Sequence, residues 1–328
     1  MKTRARVAVA ALCTLIAAAA LGTSAALADP AGTPTFRNLA GVGSDTTEEV
    51  VQGLSDVVLI DGVKQIASYN ATGSAQITTK DPGTTPGCTI NRPNGSSAGR
   101  DALLASLQAN SGAGNGCLDF ARSSSSRGTF TSTPSMTWVP FAVEGLSYAV
   151  TTTSSVPRKL TKAQLVSIYK CEITGPAGAP FKPVLPQAGS GTRSSWLSYI
   201  YGTASPNLAL YPCLVDTGAQ EHDGRILDDS SLVPFSSAQW IAQASGTIQE
   251  KRGRSTLGQI DGTTAIATNT SFANVRTVNN IIPTSKIGTA PWDTVFVGPS
   301  SQVCTNVATI LQYGLAVSPS CGSTSSQS

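Results

Sequence analysis

Charge is scarce in this 328-residue chain. Lysine, arginine, aspartate and glutamate together make up 12% of it, about half the usual share. The net charge is only +3 and no basic run occurs, so nothing here could track a nucleic-acid backbone, and nucleic acid is not an expected partner. Histidine is scarcer still, with His222 alone. A serine hydrolase would have to build its base from that one residue. No close cysteine pair or Cys/His cluster has zinc-ligand spacing, and Glu221, His222 and Asp223 have no further ligands near them in sequence. Neither a metal nor a cofactor is therefore expected. A lone histidine between two acids reads as a surface or loop-anchoring group. After residue 28, no apolar run is long enough to span a membrane.

The N-terminus is different. Lys2, Arg4 and Arg6 precede an apolar stretch over 7–21 and then Ala26-Leu27-Ala28, a small-x-small cleavage signal. Residues 1–28 thus read as a secretory signal peptide. Cys13 sits behind Ala10-Ala11-Leu12, a poor lipoprotein signal, so the product is expected to be freely released and extracellular. Six cysteines remain: Cys88, Cys117, Cys171, Cys213, Cys304 and Cys321. An even number in an exported chain reads as disulfides. They allow 15 pairings; local loop closure favours Cys88 with Cys117, Cys171 with Cys213, and Cys304 with Cys321. The mature length suits two domains rather than one, and without a strong linker the two are expected to be entwined.

Strand, glycine-rich turn and helix recur along the chain. Residues 36–40 read as a strand broken by Gly41, Gly43, Ser44 and Asp45, before a helix carrying Val50, Val51, Leu54, Val57 and Val58. Asp45 with Glu48 fits a capping box. Residues 64–69 read as a strand ending at Asn70, Gly73 and Ser74. A Pro/Gly/Thr/Asn-rich excursion over 78–99 leads to a helix over 100–107. The strand 118–121 runs into Arg122, four serines and Arg127. Those serines form either a flexible loop or a donor-rich turn, in which Arg122 could bind an oxyanion with two parallel N–H bonds. Residues 138–150 read as a long buried strand, and 160–169 as a helix capped by Thr161.

Next comes a strand over 181–185 and then Pro186, Gln187, Ala188, Gly189, Ser190, Gly191 and Thr192, with a helix behind. Such a turn is either a plain loop or an anion cradle, because the first turn of a helix has unpaired N–H donors and the positive end of the macrodipole. Ser236 or Ser237 could cap another helix. A late strand over 275–282, another at Phe296 and Val297, and a final helix over 303–313 complete the reading. Strands alternating with helices indicate an open α/β sheet, with ligands outside the carboxyl ends of its strands.

These units, in this order, resemble the phosphate-binding type of solute-binding proteins that feed ABC importers. The four ligand loops of that family are matched by 39–46, 69–74, 119–124 and 189–192, and its hinge strand by 138–143. The resemblance implies a two-lobe, periplasmic-binding-protein-like (type 2) α/β fold with hinge strands and a ligand cleft between the lobes. Lobe 1 is expected to comprise 29–141 and 281–328, and lobe 2 to comprise 142–280.

The resemblance also implies a monomer that binds a small tetrahedral oxyanion, phosphate foremost, without catalysing a reaction, with an importer permease as a possible partner. Ser44, Asp45, Thr46, Ser74, Arg122, Ser123, Ser190, Gly191 and Thr192 would be the contacts. Two departures stand out: Pro186 replaces a family arginine, and Arg122, Ser123 or Ser124 replaces an aspartate that accepts the proton of hydrogen phosphate. Without that acceptor the cleft is expected not to require a protonated anion, with Arg122 making up the lost charge. Other readings left open are a different small ligand or an interaction role on the same fold and, more remotely, a serine hydrolase.

Overall fold

The computed structural model describes residues 29–108, 116–266 and 272–325; the proposed signal peptide lies outside them. In chain order, β1 (Leu39–Gly43), α1 (Glu48–Val57), β2 (Ile66–Ser68), α2 (Ser96–Leu107) and β3 (Phe120–Ser123) form the first lobe. The long β4 (Met136–Thr151) leads into the second: α3 (Lys162–Tyr169), β5 (Lys182–Pro186), α4 (Gly191–Tyr201), β6 (Val215–Ala219), β7 (Ser231–Ser236) and α5 (Ser237–Ala244). The chain returns through β8 (Val275–Pro283).

The main sheet runs β6-β5-β7-β4-β8-β3-β1-β2. β1 is parallel to β2 and β3, and β5 to β6 and β7. Between these two parallel halves lie β4 and β8, antiparallel to each other, with Val275 opposite Gly145 and Pro283 opposite Met136. The later part of β4 also pairs with β7, and β8 with β3. The two crossing strands are therefore hydrogen-bonded into both lobes. Their ladder is interrupted once by a bulge between Val278 and Asn279.

Parallel strands covered on both faces must be apolar on both, and β1 is. Leu39 packs with Val51, Leu54 and Phe296 on one side of the sheet, while Ala40 and Val42 pack with Leu103 and Trp138 on the other. The second lobe repeats the arrangement, with Leu185, Tyr148 and Trp196 on one face and Val184, Val233 and Phe235 on the other.

Several local expectations hold. Thr161 caps α3 in a reciprocal pair with Gln164, and Ser236 caps α5 by accepting from the Gln239 N–H. Disulfides join Cys88 to Cys117, Cys171 to Cys213 and Cys304 to Cys321. No described helix is long and apolar enough to cross a membrane.

Others are corrected. Gly41 and Gly43 do not break β1 but belong to it: a Cβ on Gly41 would lie 2.2 Å from the Phe120 ring, so glycine serves close strand-to-strand packing. Phe296 and Val297 do not form a strand; Trp292–Phe296 is a short helix, because a brief apolar run carries no period that separates the two states. The final helix is broken at Asn306 into Gln302–Thr305 and Val307–Gln312.

The capping box at Asp45 and Glu48 does not form. Thr47 is the cap position of α1 and makes no side-chain cap bond. Glu48 turns instead to the Ala71 N–H, 2.7 Å away. Burial, then the neighbouring Glu49, push the Glu48 carboxyl up from 4.5 to about 8. The folded chain thus keeps a proton that the unfolded chain releases, and this contribution to stability is lost as pH rises through about 8. Glu48→Gln, which mimics the protonated form, is expected to flatten that loss. Urea unfolding of both proteins at a mildly acidic and a mildly alkaline pH checks it; an unchanged pH slope in the variant would contradict the assignment.

Candidate functional site

The turn after β1 and the turn after β5 face each other where the lobes meet. Ser190 caps α4 by accepting from the Arg193 N–H at 2.9 Å, which leaves Gly191 and Thr192 in the first helical turn. Thr192 Oγ1 lies 3.2 Å from Thr46 Oγ1 on the other lobe. Gly191 is obligatory at the contact: a Cβ there would be 2.3 Å from Ser96 Oγ and 2.4 Å from Ser124 Oγ. Further bonds cross the divide, from Ser97 N to Gly189 O at 3.1 Å, from Gln187 Nε2 to Asn94 Oδ1 at 3.0 Å and from Gln239 Nε2 to Thr46 O at 2.9 Å. The lobes are therefore closed on one another. Gly191→Ala is expected to hold them apart, raising the radius measured by small-angle X-ray scattering; an unchanged profile would count against this contact as a determinant of closure.

Thr46 is the hub. Its hydroxyl donates to Glu221 Oε2 at 2.9 Å and receives from His222 Nε2 at 3.0 Å and Arg276 Nη2 at 3.4 Å. Arg276 Nη2 also reaches Thr192 Oγ1 at 2.9 Å. The cation is placed by the crossing strands themselves: Arg276 on β8 stands directly opposite Glu144 on β4 and bonds it through Nε at 2.7 Å. Glu144 in turn accepts from the Ser236 hydroxyl at the start of α5. One guanidinium nitrogen, Arg276 Nη1, is buried with no partner. Buried polar atoms are ordinarily paired, so it marks where a polar solute would be satisfied.

The carboxyl groups differ in charge state. Burial, and then the proximity of Glu221, push Asp45 well above its usual range, so of the two it is the carboxyl that holds a proton more readily. Burial alone would raise Glu221 too, but bonds from His222 and Asp45 hold it below the ordinary carboxylate range, so it stays ionised. His222 Nδ1 accepts from the Ser236 backbone N–H at 3.3 Å. That places the ring proton on Nε2, pointing at Thr46.

Asp45, Glu221 and His222 can each bring one ligand atom to within 4.8 Å of the others. A metal at Nε2 would have to displace the proton that the Ser236 bond fixes there, so the ring is set as a donor rather than a ligand. The same tautomer cannot take a proton from Thr46, so the ring is not set as the base of that hydroxyl.

The structure brings together Ser44, Asp45, Thr46, Ser190, Gly191 and Thr192 of the sequence-derived set; Ser44 Oγ bonds Ser124 Oγ at 2.9 Å. Three residues lie elsewhere. Ser74 is exposed and bonded to Gln76 O and Arg92. Ser123 turns back on Ser125 within its own loop. Arg122 is fully buried under the first loop, where it donates to Ser44 O at 3.1 Å, Ser68 Oγ at 2.8 Å, and Gly41 O and Gly43 O at 3.4 Å each. Burial lowers its pKa to about 10, so it remains charged, but its donors shape the loop and do not make up for Pro186.

Arg276 is the cation that reaches the seam. An arginine in an otherwise uncharged strand pattern was the signal for it. His222, read as a surface or loop-anchoring group, is 3% exposed, and the Glu221 carboxyl beside it is 4% exposed.

No family model matches the chain and no curated protein matches it. Solved structures do share its fold. One, described as a phosphate ABC transporter substrate-binding protein with bound phosphate from Clostridium perfringens, is 13% identical, covers 85% of this chain and 99% of its own, and has a TM-score of 0.53. An ABC-type phosphate transport receptor from Vibrio cholerae is 17% identical with the same coverage and a TM-score of 0.51. A high-affinity periplasmic phosphate-binding protein bound with phosphate is 13% identical, covers 86% of this chain and 91% of its own, and has a TM-score of 0.52. The likeness establishes the two-lobe, hinged α/β fold.

Proposed function

We propose that this chain is an exported solute-binding protein that closes its two lobes on a small tetrahedral oxyanion, phosphate foremost, without catalysing a reaction. The observation that carries the reading is the meeting of Arg276, Thr46 and Thr192 at the seam, with Arg276 Nη1 buried and unpartnered. Donors from both lobes and one fixed cation suit an oxyanion, and the first turn of α4 adds the positive end of a helix. That the fold is shared with proteins described as binding phosphate supports the same class of ligand.

On this reading the contacts are Ser44, Thr46, Ser190, Gly191, Thr192 and Arg276. Asp45 serves as a neutral donor, and Glu221 accepts the proton of a monoprotonated anion. Lobe 1 comprises 29–141 and 281–328, lobe 2 comprises 142–280, and closure bends β4 and β8 between them. Residues 1–28 direct export, the released protein acts as a monomer, and an importer permease is its natural partner. Calorimetric titration with phosphate and with sulfate tests the reading: phosphate is expected to bind and sulfate to bind more weakly, whereas no heat with either would overturn it.

A further inference from the structure

Beyond the Thr46 cluster the seam widens into a groove of about 1130 Å³. Its walls are α2 and the serine loop on one lobe and α4 on the other, and Asn274 with β8 from Val275 to Thr277 contributes to its lining. The volume exceeds the roughly 300–1,000 Å³ in which drug-sized ligands are held, so a single tetrahedral ion would leave most of it unfilled. Arg100, Arg127, Lys162 and Arg276 line it, and no aspartate or glutamate does. In a chain with 12% charged residues, four lining cations, of which Arg276 is paired with the buried Glu144, leave the groove net positive. Asp101, paired with Arg100, and Asp261, bonded to the Lys162 backbone N–H, stand beside it.

Two features narrow the ligand. Arg100 lies 4.1 Å over the Phe130 ring and Lys162 lies 4.3 Å over the Tyr199 ring, so a cation already covers one face of each aromatic that a sugar or base would stack on. Arg276 belongs both to the groove and to the Thr46 cluster, so one cation borders both.

We propose that the groove and the cluster together hold a short inorganic polyphosphate, its terminal phosphate at Thr46, Thr192 and Arg276 and its remaining phosphates among Arg100, Arg127, Lys162 and the serine hydroxyls. This rests on the oxyanion reading of the cluster and extends it from the free ion to a chain.

Calorimetry on the full chain with orthophosphate, tripolyphosphate and a hexaglutamate peptide tests the proposal, alongside the double variant Arg100→Gln/Lys162→Gln. Tripolyphosphate is expected to bind at least about tenfold tighter than orthophosphate, in line with added charge-assisted contacts. The double variant should lose that gain while orthophosphate affinity and the melting temperature stay as in the parent. Equal affinity for the two phosphates, hexaglutamate binding as tightly as tripolyphosphate, or a variant that weakens both phosphates alike would each overturn it. Orthophosphate binding without any gain for tripolyphosphate removes the groove alone. A tripolyphosphate gain that depends on Arg100 and Lys162, with no orthophosphate binding, upholds the groove and removes the free-ion reading. Silence with every probe removes both.

Discussion

Arg276→Gln is expected to weaken phosphate binding by about a hundredfold or more. A hydrogen bond to a charged group contributes ~1.5–3 kcal/mol, each ~1.4 kcal/mol is a factor of ten, and Arg276 offers two nitrogens to the seam. The same change strips the counterion from Glu144, whose side chain is fully buried, and removing one partner of a buried pair costs about 3–5 kcal/mol of stability. Loss of binding could then simply report partial unfolding. The double variant Arg276→Gln/Glu144→Gln separates the effects: it should recover much of the melting temperature and none of the affinity. Phosphate affinity within about twofold of the parent, in a folded single variant, would remove Arg276 from the site.

The second large effect concerns selectivity. Glu221 is held ionised and is buried beside Thr46. A monoprotonated anion can donate to that carboxylate; a fully deprotonated one of the same shape can only be repelled by it. The parent should therefore prefer phosphate to sulfate, and Glu221→Gln should narrow the difference by about tenfold or more, since an amide can donate where the carboxylate could only accept. Competition titrations with the two ions give the ratio directly. A sulfate-to-phosphate ratio that is the same in both proteins would show that Glu221 does not face the ligand. The preference should persist into mildly acid solution, because Glu221 is held below the normal range and loses its charge only as pH falls through its depressed value.

Local chemistry made much of the fold legible. Strand, glycine turn and capped helix are short-range features, so β1, β5, the Ser190 turn and the Thr161 and Ser236 caps could be read from consecutive residues. The seam itself was half legible: Ser44, Thr46, Gly191 and Thr192 sit in those turns. Arg276 and Glu144 were not, because their pairing joins strands 132 residues apart, and nothing adjacent to either announces it. His222 misled for a related reason. Flanked by Glu221 and Asp223 it looks solvated, yet the chain at this point carries Glu221 and His222 inward and leaves Asp223 outside with Arg225. Arg122 erred in the opposite direction, because a cation at the end of a strand can support a loop from beneath as readily as it can face the ligand.

The bulge in the β4–β8 ladder sets the parity of the hinge. Before it, the odd residues Val139 and Phe141 of β4 face the first core; after it, the even residues Ala142, Leu146, Tyr148 and Val150 carry on the apolar sequence into the second. Glu144 belongs to the even set and stands opposite Arg276. In a strand of strict alternation, a residue three positions beyond Phe141 would point to the other side of the sheet. One extra residue in β4 is thus what turns the acid toward the seam, so an insertion or deletion of a single residue there would change the polarity of the cleft while leaving every rim loop intact.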